Sequence, residues 1–318
     1  MDLYILIFMF VVGLVFIIKG GDFFVDASVW IAKISKMPEF IIGATIVSVA
    51  TTLPEIFVSA IACADGKIEM ASANAIGSVI ANTGLVFAIA IIFLPSNIKK
   101  KELAPKGILF ISSIVALGLF SVSGYISYYA NLGLFIVFAV FIFENIKSAK
   151  SQLSNATSFH TEKISPKIIT INILKFVLGA TGIVIGSKFV VSYGSDIARF
   201  FSIEERTISI TAVAISTSLP ELVTTISAIT KKQSSLSVGN IIGANIIDIT
   251  LILPICAFIT GGALPVNISS ISLDILCCLV IAIIVIIPTL TIGVFRRFQG
   301  ILALIIYISY ILFIVNIQ

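Results

Sequence analysis

The sequence predicts an all-α membrane protein of about ten transmembrane helices, arranged as two inverted five-helix repeats with proline-broken helices at the centre. Three observations predict it. Of 318 residues, 58% are hydrophobic and only 11% charged, and the mean hydropathy is +1.17; a water-soluble surface needs far more polar residues. Uncharged runs of about 20 residues, the length that crosses a hydrocarbon core about 30 Å thick, fill nearly the whole chain. Finally, motifs of the first half return in the second at a constant spacing.

The runs give expected spans at 3–19, 40–64, 71–94, 107–123 and 126–145 in one half, and at 167–187, 207–230, 236–260, 271–293 and 300–317 in the other. The first lacks a basic leader and a small-residue cleavage site, so it reads as a retained helix and not a signal peptide. Residues 151–166 are polar and read as a linker between a first half, 1–150, and a second half, 167–318. The linker holds the only histidine, His160, expected to be solvated. Counted by alternate loops, fifteen of the twenty basic residues fall on one side, among them Lys33, Lys36, Lys99, Lys100, Lys231 and Lys232. The positive-inside rule places that side and the linker in the cytoplasm, both termini outside, and the protein in the plasma (inner) membrane. The four cysteines, Cys63, Cys256, Cys277 and Cys278, lie in apolar runs without metal-like spacing and read as buried thiols.

The duplication is carried by polar residues. Thr51-Thr-Leu-Pro-Glu55 reappears as Thr217-Ser-Leu-Pro-Glu221, and Asn74-Ala-Ile-Gly77 as Asn240-Ile-Ile-Gly243, each 166 positions on. Gly20 and Gly186, Phe23 and Phe189, and Leu85 and Leu251 keep the same offset. Five spans per copy is an odd number, so the second copy enters the membrane with opposite orientation.

Pro54 and Pro220 stand at equivalent places inside apolar runs. Proline donates no backbone hydrogen bond and crowds the preceding turn, which frees carbonyls of Ala50, Thr51, Ser216 and Thr217. A kink packed against hydroxyls explains most membrane prolines, but here Glu55 and Glu221 follow directly. A charge at mid-bilayer costs about 2.5–3.5 kcal/mol on insertion scales, and two such costs at repeat-related positions require a partner. Freed carbonyls, the hydroxyls of Thr51, Thr52, Thr217 and Ser218, and two carboxylates form an all-oxygen set suited to hard cations. Asn74, Ser78 and Asn82 follow one helix face, as do 240, 244 and 248, which adds Asp248, a third costly acid. For Asn74 and Asn240, ion contact and interhelical hydrogen bonding weigh equally.

The paired motifs resemble those of the Ca2+/cation antiporter superfamily, in particular its prokaryotic sodium/calcium exchangers, over essentially the whole chain. The resemblance implies exchange of Ca2+ for Na+ by alternating access, with the lipid bilayer as surroundings and no obligatory protein partner. It implies a central Ca2+ site from the carboxylates of Glu55 and Glu221 and the carbonyls of Thr51 and Thr217. Flanking Na+ sites would share those glutamates and add the carbonyls of Ser48 and Ala214, the side chains of Thr51, Thr217 and Ser78, and the region of Asn82 and Asp248; Thr52 and Ser218 would line the break. Departures from the family pattern are Ala50 and Ser216 for glycine, Thr52 for serine, Val79 for asparagine and Ala244 for serine. The lost hydroxyl at Ala244 keeps Ca2+/H+ antiport as the alternative.

Other classes fit less well. No nucleotide-binding loop is present, so a primary pump is excluded and no cofactor is expected beyond the transported ions. No nucleophile and base flank the acids, which argues against an intramembrane enzyme, and nothing resembles a pore-loop filter. The basic residues are dispersed over short loops and do not form a nucleic-acid surface.

Overall fold

The computed structural model describes residues 2–95, 98–155, 165–202, 205–266 and 268–317, with side chains described for all of these except 69–70, 151–155, 205–217, 268–270 and 315–317. His160 lies outside the described residues.

Ten long helices follow one another, five in each half. The first half has α1 (Leu3–Ser35), α2 (Glu39–Ala64), α3 (68–93), α4 (Lys100–Ser121) and α5 (Tyr128–Asn155). The second has α6 (Pro166–Phe200), α7 (Glu205–Thr230), α8 (Ser234–Ile259), α9 (Ile268–Ile292) and α10 (Arg297–Ile317). Among the described residues, nine of them are long and apolar enough to cross a membrane. The tenth, α7, occupies the place expected of the seventh span.

Three expectations are corrected. The first, fifth and sixth spans do not stop at 19, 145 and 187 but run as helices of 33, 28 and 35 residues, the fifth reaching Asn155 inside the stretch expected as linker. Lys19, Lys33, Lys188 and Arg199 are therefore helical and not loop residues, and the same holds for Lys106 in α4. A single lysine does not end a helix, because its long stem lets the ammonium reach a polar layer. The stop comes instead at Lys36, whose left-handed φ of 53° caps α1 by donating to Ala32 O and Lys33 O, two residues before Pro38.

The two ends of the bundle are internally consistent with inverted halves. At one end a two-residue antiparallel pairing, Tyr125 with Pro265 and Ile126 with Leu264, joins the α4–α5 and α8–α9 connections. At the other end the Lys-rich connections meet: Ile98 N donates to Gly293 O at 3.2 Å, and Lys231 of the α7–α8 turn pairs with Asp26 of α1 at 2.7 Å.

Small residues set the packing. α1 and α6 lie antiparallel along a glycine seam, where a Cβ at Gly20 would fall 2.8 Å from Ile183 N and one at Gly179 2.6 Å from Phe24 N. α2 and α8 approach as closely, with Gly239 facing Phe40 O and Gly243 facing Ser48 Oγ and Ala44 O. Without a hydrophobic drive between helices in lipid, such backbone approach supplies much of the association energy. Among the nine helices long and apolar enough to cross a membrane, α3 and α8 are the most buried and α5 and α6 the least.

Candidate functional site

The proline-bearing helices α2 and α7 and the inner helices α3 and α8 meet at the centre of the bundle. Both α2 and α7 continue as helices through Pro54 and Pro220. The break is thus one of hydrogen bonding within a continuing helix: each proline withdraws one N–H from the ladder. The visible irregularities are wide π-turns, at Gly43–Val47 in α2, Asn82–Val86 in α3 and Asp248–Ile252 in α8. The last two begin at Asn82 and Asp248, which are repeat-related. Such turns insert a residue into the helical ladder and concentrate at functional sites.

Glu55, Glu221 and Asp248 are all buried, at 3%, 1% and 1% exposure. They lie close enough together for their charges to repel one another. Among the described residues Glu55 Oε2, both oxygens of Glu221 and both of Asp248 have no hydrogen-bond partner, and no lysine or arginine pairs with any of the three. Around them the hydroxyls of Thr52, Ser78, Ser218 and Thr224 and the amide oxygens of Asn82 and Asn245 are also buried without partners. Buried polar atoms in folded proteins are nearly always bonded. A concentration of unpartnered oxygens, five of them on three acids, is the coordination chemistry of a hard cation. Among the described residues no three acidic, histidine or cysteine side chains converge tightly enough to hold a metal by themselves. A cation here has to draw on hydroxyl, amide and backbone oxygens as well.

The remaining expected residues divide. Ser48 and Thr51 are buried at the site's edge; Thr51 Oγ1 donates to Asn240 Oδ1 across to α8 at 3.2 Å and lies 3.3 Å from Ser48 O. Thr217 and Ala214 belong to α7, but their side chains lie outside the described residues. Asn74 is committed elsewhere, donating to Ser59 Oγ at 2.9 Å to join α3 to α2. It serves packing, whereas Asn240 borders the acids. At the departures, Ala244 and Val79 are buried, and the two halves complement each other: Ser78-Val79 presents a hydroxyl where Ala244-Asn245 presents an amide. Asn245 Nδ2 donates to Thr83 Oγ1 at 3.2 Å, leaving its oxygen unpartnered.

Thr83 and Thr224 were not legible as site residues. Their repeat counterparts are Ile249 and Val58, so a search led by symmetry passes over them. The one available signal was spacing: Thr224 follows Glu221 by three residues, on the same helix face. All four cysteines are buried and unpaired by disulfide, as expected.

Comparison with known proteins agrees with this architecture. Residues 5–147 and 171–316 each match the family described as sodium/calcium exchanger protein. The chain is 29% identical over 339 residues to the sodium/calcium exchanger MaX1 of Methanosarcina acetivorans, covering 94% of this chain and 95% of the relative. It is 32% identical over 263 residues to the inner membrane protein YrbG of Escherichia coli, covering 79% of each. Among solved structures, the sodium-calcium exchanger NCX_Mj soaked with Na+ and Sr2+ superposes with a TM-score of 0.84 at 27% identity, covering 98% of this chain and 99% of that one. With both halves matched and the ten-helix architecture shared, the chain belongs to the sodium/calcium exchanger family.

Proposed function

We propose that this member of a family of cation exchangers, which are transporters and not enzymes, exchanges Ca2+ for Na+ across the plasma membrane through the acid-lined centre of the bundle. The observation that carries the reading is the set of buried, unpartnered oxygens on Glu55, Glu221 and Asp248 and on the hydroxyls and amides around them. Glu55 and Glu221 hold Ca2+ with the carbonyls of Thr51 and Thr217. The same glutamates, with Ser78, Asn82, Asp248 and the carbonyls of Ser48 and Ala214, hold Na+; Thr52 and Ser218 add hydroxyls beside the prolines. The two cations then compete for one group of acids, and competition becomes exchange when the site opens alternately to each side.

Charge sets the coupling. Three ionised carboxylates around one Ca2+ would leave a net negative site in low dielectric, which is costly, so Asp248 holds a proton while Ca2+ is bound. The halves 1–150 and 167–318 are the two repeats, joined by a cytoplasmic linker at 151–166, with both termini outside.

Ca2+/H+ antiport is the second reading, favoured by one observation: Ala244 is buried and offers no hydroxyl where Ser78 does in the other half. Radiolabelled Ca2+ uptake into Na+-loaded proteoliposomes separates the two. Uptake that requires an outward Na+ gradient is expected. Uptake that follows a pH gradient and ignores Na+ would replace Na+ by H+ as the counter-ion.

A further inference from the structure

A polar cavity of about 570 Å³ lies away from the acids at the end of the bundle where the Lys-rich connections meet. Its walls come from the end of α1 (Asp26, Trp30, Lys33), the start of α6 (Asn172, Lys175) and the α7–α8 turn (Lys231, Gln233). That volume is in the range of small-ligand sites.

Of the charged residues that line this cavity, Lys33, Lys175 and Lys231 are basic and Asp26 alone is acidic. Lys231 is engaged by Asp26 at 2.7 Å and Asp22 at 3.5 Å, and its Nζ also donates to Asp22 O at 2.7 Å. Glu39, the acid nearest Lys33, is met by Gln233 once that amide is oriented to suit its neighbours, at 2.7 and 2.6 Å. Asp22 and Asp26 thereby share Lys231, and Glu39 is hydrogen-bonded to Gln233 but keeps its charge. Glu39 acts on Lys33 electrostatically, and among the described residues neither Lys33 nor Lys175 has an ion pair or hydrogen bond. Two cations facing one cavity from different helices call for an anion.

The surroundings say where the anion comes from. Next to Lys175 on α6, Ile173, Leu174 and Val177 are more than half exposed, which in a membrane helix is acyl-chain surface. Trp30, the only tryptophan, is half-buried at the cavity, and tryptophan favours the level of lipid headgroups. Basic pockets between helices on the cytoplasmic side suit anionic headgroups.

We propose that this cavity binds the phosphate-bearing headgroup of an anionic phospholipid, with Lys33 and Lys175 on the phosphate and Trp30 at the glycerol level. A headgroup there touches α1, α6 and the α7–α8 turn at once, and so ties the outer helix pair to the core.

Because the chain has one tryptophan, its fluorescence reports on this site alone. The full-length protein is reconstituted in phosphatidylcholine vesicles carrying either phosphatidylglycerol or phosphatidylcholine brominated in the acyl chains, and quenching of Trp30 is titrated against the brominated fraction. Brominated phosphatidylglycerol is expected to quench at lower fractions, with about a fivefold preference per lysine. Lys33→Gln and Lys175→Gln, each tested singly, are expected to remove about one such factor, and inorganic phosphate added to plain phosphatidylcholine vesicles to leave Trp30 emission unchanged. Equal quenching by the two lipids in the wild-type protein overturns the proposal, as does a preference that neither substitution lowers. A response to inorganic phosphate would assign the site to a soluble anion and overturn the lipid.

Discussion

Glu55, Glu221 and Asp248 are buried, and among the described residues no ammonium or guanidinium pairs with them. Their roles differ in the proposed cycle, and amide substitution distinguishes them. Glu55→Gln and Glu221→Gln each remove a carboxylate that holds Ca2+, and transport is expected to fall to background in vesicle uptake with normal membrane expression. Ca2+ exchange persisting in either variant would be incompatible with the assignment. Asp248→Asn mimics the protonated form and is expected to retain Ca2+ exchange; its loss in a well-expressed variant would show that the charged form is needed. The acids were legible in the sequence because a buried charge is costly and because Glu55 and Glu221 recur at the repeat spacing. The partners of Asn74 were not, since amide–hydroxyl pairing depends on which helices face one another, and the sequence left its two readings equal.

The helices themselves are held at backbone distance, and that is where their sensitivity lies. A Cβ on Gly239 would meet Phe40 O and the backbone N of Ala44 at or below 3.0 Å, with no flexible side chain to give way. Gly239→Ala is expected to force α2 and α8 apart at a cost of about 1–3 kcal/mol, seen as a lower Tm in detergent. Gly133→Ala in α5 is the control, because there a Cβ meets only Phe120 at an ordinary 3.6 Å and removing a helical glycine is worth up to about 1 kcal/mol. A Gly239→Ala protein as stable as the control would remove close packing as the reason for that glycine. At this scale hydropathy located every helix, with most ends within a few residues. It failed at the ends of α1, α5 and α6, whose later turns carry Asp22, Asp26, Lys147, Lys150, Lys188 and Arg199, charges that lower hydropathy without ending a helix. It was also blind to the π-turns at Asn82 and Asp248, which change hydrogen-bond register and leave composition untouched.

For the whole molecule, inversion of the repeat and the burial of acids combine into one constraint on motion. In the exchange cycle proposed above, α1 and α6, packed on each other along their glycine seam, move as a unit along the core formed by α2, α3, α7 and α8 and open the centre first to one side and then to the other. An empty centre would have to make that passage with its carboxylates unneutralised, a penalty of several kcal/mol per buried charge. Each 1.4 kcal/mol of it slows the passage about tenfold. Vesicles preloaded with radiolabelled Ca2+ are therefore expected to release it at least about tenfold more slowly into medium lacking both Na+ and Ca2+ than into medium containing either ion. Release at the same rate into all three media would mean that the unloaded protein reorients freely. In that case exchange would have to be enforced by something other than the charge of Glu55, Glu221 and Asp248.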